Sequence, residues 1–570
     1  MAFQISPGVN YSEVDLTTVV PSVLTTAGAF AGNFNWGPAN KRIQIDSEIT
    51  LVDTFGKPDT NTYVSFFSAA SFLSYGNNLQ VVRAVGANSK NADANTSATN
   101  PQITNKDIFE ISYLNSNNAN TYGPFVARYA GALGNSLTVS IIDSNTTFSS
   151  WTVNSIGVSS YFTGSPGTSV QATAAGASND EIHIIVTDSG GLITGTKNTV
   201  LETYPFVSKA FDSTDSLGNS NYYKNVIFNN SKYIYAIDPP NYSATVATWG
   251  TNLANTSFAT LPGVITNTLA GGADDAPSAA TLQTAFGQFS NSEEVDISLV
   301  ITGDAGISTQ QYIIDNISGA RKDCIAFLSP PSSNVINQSG SEVTNIQAWN
   351  TALGRSSSFA VADSGWKYMF DKYNNTYRYV PLNADIAGLC VYTDSVRDPW
   401  FSPAGFNRGN LKNVVKLSWN PNKTQRDSLY SIGINPVGTF PGQGTVLYGD
   451  KTLQTKPSAF DRINVRRLFI ILEKTISQAA KFSLFEFNDE FTRAQFVALV
   501  TPFLRDIQGR RGIYDYRVVC DSTNNTPQVI DSNQFVGDIY IKPARSINFI
   551  QLNFVAVRTG VDFTEVVGRF

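Results

Sequence analysis

Histidine is almost missing from this chain: there is one, His183, in 570 residues. A Ser-His-Asp triad or a Cys-His pair needs an imidazole base, so those arrangements are excluded everywhere away from His183. Within EIHIIV, alternation places that ring on the strand face opposite Ile182 and Ile184, the reading of an exposed or half-buried strand residue. Cysteine is scarce too. Cys324, Cys390 and Cys520 are far apart and odd in number, which implies no disulfide framework and no metal-ligand spacing; buried free thiols are expected. No run approaches the roughly 18 apolar residues of a membrane-spanning helix. Met1 to Asn10 (MAFQISPGVN) lacks the basic start and apolar core of a signal peptide, so folding in a reducing cytoplasm without membrane insertion is expected. Charged residues make up only 15% against 12% aromatic, with Asn, Ser, Thr and Gly filling much of the remainder. That balance suits β-rich, densely packed surfaces more than a highly solvated enzyme.

What is present suffices for several domains, with 42% hydrophobic residues and material for more than one core. The net charge of −6 is unevenly placed. From Lys456 onward there are 15 Lys and Arg against 12 Asp and Glu, a net of +3, which leaves −9 for the first 455 residues. Such asymmetry would help identical subunits attract head to side and gives no case for nucleic-acid binding.

The densest structural instruction lies between Ile434 and Phe487. Turn signals at Asn435-Pro436 and Pro441-Gly442 precede a short apolar run, Val446 to Tyr448, and then a helical pattern in which Leu468, Ile471, Leu472, Thr475, Ile476, Ala479 and Ala480 form one buried face. Gly444, Gly449, Lys451 and Thr452 approach a phosphate-binding loop, but Asp450 would point negative charge at the phosphates, so a strand ending in a turn is expected. The order GQGTVLYGDKTL, FDRINVRRLFIILEKTI, KFSLFEFND, YRVVCDSTNNTPQVID and YIKPARSINFIQLNFV closely resembles the C-terminal part of tail sheath proteins of contractile-tailed bacteriophages, those of T-even-like phages in particular.

The rest of the chain can be read against that resemblance. Val9, Tyr11 and Glu13 alternate against Asn10, Ser12 and Val14 ahead of the Val20-Pro21 break, as in a short strand. SPGVNYSEVD resembles the P-G-V-Y-x-x-E opening of sheath proteins, which implies an arm that adds a strand to a neighbour's sheet; the residues alone equally allow a strand paired within its own subunit. Residues 21–87 read as an α/β unit, and the Asn-, Ser-, Thr- and Ala-rich ANSKNADANTSATNPQ marks a linker into short strands such as Leu137 to Ile142 and Glu181 to Val186. LAGGADDA lacks the alternating oxygen ligands of a calcium loop and is read as the approach to a helix at Ala279 to Phe289. VDISLVIT, a helix around Gln310 to Ile317, and DCIAFLSPP make a β-α-β succession whose continuous apolar strands suggest a parallel sheet covered on both faces. Farther on, a helix over Asp489 to Gln508 should be kinked or divided by Pro502, and strands are expected at Tyr514 to Cys520 and Ile547 to Val557.

The expected fold is therefore mixed α/β (α+β) and multidomain. It comprises an arm (1–20), a discontinuous α/β core (21–87 plus 288–424), an inserted β-rich protruding region (88–287), a C-terminal sheath domain (425–558) and a second arm (559–570), with terminal strands exchanged between subunits. The resemblance implies a homo-oligomer of hexameric rings in a helical array around a tail tube protein, with baseplate and tail terminator as further partners. It implies a place in the phage tail after assembly in the host cytoplasm, and no cofactor, metal or catalytic activity. Candidate interface residues are Val9, Tyr11 and Glu13 in the first arm, Val561, Phe563 and Glu565 in the second, and the basic face of Arg462, Arg466 and Arg467, expected to meet acids of neighbours or of the tube. Two alternatives remain: the sheath of a non-phage contractile injection system, and a nucleotide hydrolase on the β-α-β core, whose strand ends, TGDAG and SPPSS, carry no phosphate fingerprint.

Overall fold

The computed structural model describes residues 23–95, 100–114, 122–143, 145–238, 248–548 and 550–551. At its centre is a seven-stranded sheet in the order Ile434–Asn435, Ala360–Asp363, Ile325–Leu328, Leu299–Ile301, Gly28–Asn33, Leu79–Ala84, Arg42–Ile45. All pairs are parallel except the last, which is antiparallel. Period-two alternation divides these apolar strands between two cores. Phe30, Val81, Leu299, Ile301, Ile325, Phe327 and Val361 face the helices Tyr63–Leu73 and Asn383–Val396. Ala29, Ala31, Val82, Val300, Ala326 and Leu328 face Ala279–Gly287, Glu342–Leu353 and the helical run Ile307–Tyr312, which continues as π-helix through Ile313–Ser318. Both faces are thus dry, as continuous apolar strands require. Gly28 lets the Tyr63–Leu73 helix approach closely: a Cβ there would lie 2.6 Å from Phe72 Cζ.

Between the strands Leu79–Ala84 and Leu299–Ile301 the chain builds a separate antiparallel sheet, ordered Ile265–Thr268, Leu137–Ile142, Glu181–Asp188, Thr199–Ser208. One of its faces buries Val139, Ile141, Ile182, Ile184 and Val186. The other is covered by Trp151, Val158 and Phe162, and here the sequence expectation for His183 is corrected. The residue is fully buried, stacked on Phe162 with ring centroids 4.4 Å apart. Its Nδ1 accepts from Phe206 N at 3.0 Å, so Nε2 carries the proton and donates to Gly164 O at 2.8 Å. Burial holds the ring below its ordinary pKa and neutral, and both nitrogens are spent on structure.

The C-terminal part packs two long helices, Ile463–Ala480 and Glu490–Gly509, against a two-stranded sheet of Ile513–Val519 and Asp538–Pro543. Leu468, Leu472, Phe496, Val500, Leu504 and Ile507 close this core together with Trp400. Pro502 lies inside the second helix and does not divide it. Of the strand expected at Ile547 to Val557, Ile547, Asn548, Ile550 and Gln551 are described and belong to no strand; the partner of Ile513–Val519 is Asp538–Pro543 instead. All three cysteines are buried and free. No helix among the described residues is long and apolar enough to cross a membrane.

Candidate functional site

The Ile463–Ala480 helix is the element through which the parts meet. Its Ile463 and Ile470 enter one core of the central sheet, while Leu468 and Leu472 enter the C-terminal core. A helix that is apolar on two sides can carry cations only where partners wait for them, and the chain supplies those partners from distant segments.

Arg467 is buried and bidentate to Asp394, Nη1 to Oδ1 at 2.8 Å and Nη2 to Oδ2 at 2.6 Å. Asp394 Oδ2 also accepts from Thr25 Oγ1 at 2.7 Å, so the start of the described chain, the Asn383–Val396 helix and the C-terminal helix share one polar joint. Desolvation opposes the Arg467 charge, but the Asp394 carboxylate outweighs it and holds the guanidinium above its ordinary pKa. Arg466 is sandwiched between the rings of Phe359 and Phe460, 4.3 and 4.5 Å from their centroids, and reaches Glu473 at 3.3 Å. Lys474 Nζ donates to Asp296 Oδ1 at 2.7 Å and to Ile297 O at 2.8 Å, beside the central strand Leu299–Ile301.

Arg462 sits just ahead of the helix and donates to Asp450 Oδ1 at 2.9 Å and to the Tyr430 hydroxyl. The other oxygen of Asp450 accepts from Ser402 Oγ at 3.0 Å and Ser546 Oγ at 2.7 Å. Asp450, which spoiled the phosphate-loop pattern, is therefore the hub that ties four segments together, a role the sequence alone did not disclose. The loop itself is absent: Gly444–Leu447 is a strand paired with Val437–Phe440, and Lys451 Nζ is held by Tyr430 O at 2.7 Å.

Of the proposed interface residues, Arg462, Arg466 and Arg467 thus already have partners within their own chain, and only Arg462 keeps an appreciable exposed fraction, 20% of its side chain. Val9, Tyr11, Glu13, Val561, Phe563 and Glu565 lie outside the described residues.

The carboxyl ends of the parallel strands, where an α/β enzyme would hold its substrate, are plugged by side chains. Ser329 Oγ donates to Asp363 Oδ2 at 2.6 Å, and Asn383 Nδ2 donates to Ser329 Oγ at 3.0 Å and to Gly303 O at 2.8 Å. All three side chains are buried. Among the described residues no group of three or more His, Cys, Asp or Glu is placed to hold a metal ion. Burial lifts the Asp363 carboxyl to about 8. Its folded pKa exceeds the unfolded one, so its contribution to stability is full below the unfolded pKa of about 3.9 and is lost as pH rises through about 8. The melting temperature of the wild-type chain should therefore fall, relative to that of Asp363→Asn, as pH is raised from about 4 to about 8. Parallel curves across that window would show that the carboxyl is not strained.

Comparison with known proteins agrees with this architecture. The phage tail sheath protein central domain matches residues 237–453, and the phage tail sheath C-terminal domain matches residues 455–556. The tail sheath protein of Enterobacteria phage T4 is 35% identical, over 99% of this chain and 99% of that protein. The chain belongs to the phage tail sheath family. A second family member, the tail sheath protein of Vibrio phage KVP40, is 34% identical over 99% of this chain and all of its own length. Solved structures extend the likeness to the fold alone. The sheath tail protein from Listeria innocua gives a TM-score of 0.53 at 10% identity, covering 93% of this chain and 97% of that one. The helical sheath of the anti-feeding prophage in its contracted state gives 0.50 at 13% identity, covering 97% and 99%. The fold is accordingly the mixed α+β, multidomain one of sheath proteins. Within the family frame, the C-terminal match opens eight residues before the helix that joins the cores.

Proposed function

We propose that this chain is the repeating structural subunit of a phage contractile tail sheath, without catalytic activity of its own. Copies stack as hexameric rings in a helical array around the tail tube, with a baseplate at one end and a terminator at the other. The array is assembled in the host cytoplasm and carried in the virion, and its collective shortening drives the tube through the host envelope. The observation that carries this reading is the identity of 34–35% with phage tail sheath proteins over essentially the whole of both chains. Those relatives favour a phage tail over a non-phage injection system, for which the likeness extends only to the fold.

Contraction by such an array needs two packings of one folded subunit. The polar joints at Arg467 and Asp450 suit that demand, because they lock the central and C-terminal cores into a body that can move without unfolding. In this reading residues 88–287 form the protruding region. Val9, Tyr11 and Glu13 with Val561, Phe563 and Glu565 supply the exchanged arms, and Arg462 offers its exposed fraction to a neighbour. Arg466 and Arg467 support the interface from within.

Negative-stain electron microscopy of the purified chain at rising concentration, beside a chain truncated after Thr559, tests the proposal. Rings or tubes are expected from the full chain and none from the truncation. A monodisperse monomer in both would overturn self-assembly.

A further inference from the structure

An open groove of about 1610 Å³ lies between the 397–408 segment, the Lys423–Ser431 helix and the C-terminal part of the chain. Six of its cations, Arg397, Arg408, Lys423, Arg426, Arg511 and Arg545, form no ion pair among the described residues. Two of its three aspartates are already engaged, Asp398 by Arg510 and Asp450 by Arg462, which leaves Asp427. Exposed apolar surface accompanies the charge: Phe406 is 42% exposed, Tyr448 46% and Ile550 78%. A cationic channel with aromatic walls fits an anionic polypeptide that also carries apolar side chains.

The chain contains such a sequence. Residues 1–22, MAFQISPGVNYSEVDLTTVVPS, hold Glu13 and Asp15 and no Lys or Arg. In an extended strand Val9, Tyr11, Glu13 and Asp15 would share one face. Residues 552–570 are a poorer match, since Arg558 and Arg569 offset Asp562 and Glu565. The tether also starts nearby. Thr25 donates to Asp394, which lies three residues before Arg397 of the groove wall, a separation of at most about 11 Å. A segment held that close acts at an effective concentration on the order of millimolar.

We propose that this groove is the docking site of the same chain's N-terminal sequence, residues 1–22, in the free subunit. Such docking is a property of one chain and holds whether or not the chain forms a sheath. It would withhold the segment from neighbours until subunits meet, so that joining an array exchanges a contact within the subunit for one between subunits.

The test uses a fluorescent peptide of residues 1–22 and the full chain, diluted until light scattering reports monomer, with anisotropy as the readout. The wild-type groove is occupied, so Glu13→Lys/Asp15→Lys should bind the peptide about tenfold or more tightly than wild type. Adding Lys423→Glu and Arg545→Glu, both at exposed positions, should abolish that binding. Equal affinity in the wild type and the double variant would overturn the proposal. So would no binding to either, indifference to the groove charges, or equal competition by a peptide of residues 552–570. A difference that vanishes on dilution would assign the groove to a second copy's segment and equally overturn docking within one chain.

Discussion

Replacing Arg467 with alanine is expected to lower the stability of the chain by about 3–5 kcal/mol, the range for removing one partner of a buried ion pair. The size follows from what is left behind. Asp394, 6% exposed at its side chain, would keep only Thr25 as a donor to its carboxylate among the contacts described, and the carbonyls of Cys390 and Pro399 would lose the guanidinium that approaches each at 3.4 Å. Lysine should rescue little, because a single ammonium cannot reproduce the fork that meets both oxygens of Asp394. Arg467→Met with Asp394→Leu should recover most of the loss, since removing both charges also removes their desolvation. The exposed pair Lys542–Asp515, with side chains 75% and 61% exposed, is the natural control and should be worth less than about 1 kcal/mol. Urea denaturation read by near-ultraviolet circular dichroism measures all four. An Arg467→Ala chain no weaker than a Lys542→Ala chain would sink the view that this joint holds the two cores together.

What the sequence disclosed and what it hid divide along a physical line. Patterns fixed by local composition and periodicity were legible: the continuous apolar strands Leu299–Ile301 and Ile325–Leu328 that are covered on both faces, the buried stripe of Leu468, Leu472 and Ala479, and the helix that follows Asp489. Long-range closure was not. Alternation gave His183 the correct face, but not the segment from Phe148 to Phe162 that covers it, some twenty to thirty-five residues upstream. The arginines read as surface charge because Asp394 lies 73 positions before Arg467 and no spacing rule connects them. Asp450 looked like a defect in a phosphate loop because Ser402 and Ser546 are 48 and 96 positions away. The strand Asp538–Pro543 was passed over for a more apolar run, since half-exposed edge strands carry little hydrophobic signal. The family resemblance supplied what periodicity could not, a whole-chain identity, yet it gave no account of which charges are spent inside the subunit.

Lys209→Met should be at least as damaging as Arg467→Ala, and its damage should stay in a different part of the molecule. Lys209 and Asp143 are the more deeply buried pair, both with side chains 0% exposed and 2.8 Å apart. The ammonium is fully committed, donating also to Asn179 O at 2.8 Å and Ala259 O at 3.1 Å, with its Nζ 5.0 Å from the centre of the Trp249 ring. Burial draws its pKa below the ordinary lysine value while Asp143 resists that shift, so the pair survives by mutual compensation. Methionine fills the stem's space and removes the charge, leaving the Asp143 carboxylate with only Leu261 N, at 2.7 Å, among its described donors. A loss of about 3–5 kcal/mol is expected, and Lys209→Met/Asp143→Leu should be neutral or more stable than wild type by up to about 4 kcal/mol. Because the residues around this pair pack into cores separate from those of the central sheet, the single variant should open locally. Limited proteolysis with mass-spectrometric mapping should then place new cuts between residues 88 and 287, whereas those of Arg467→Ala should fall among the C-terminal helices. Cuts spread evenly along both variants would show one cooperative body instead, in which residues 88–287 could not loosen without the C-terminal helices.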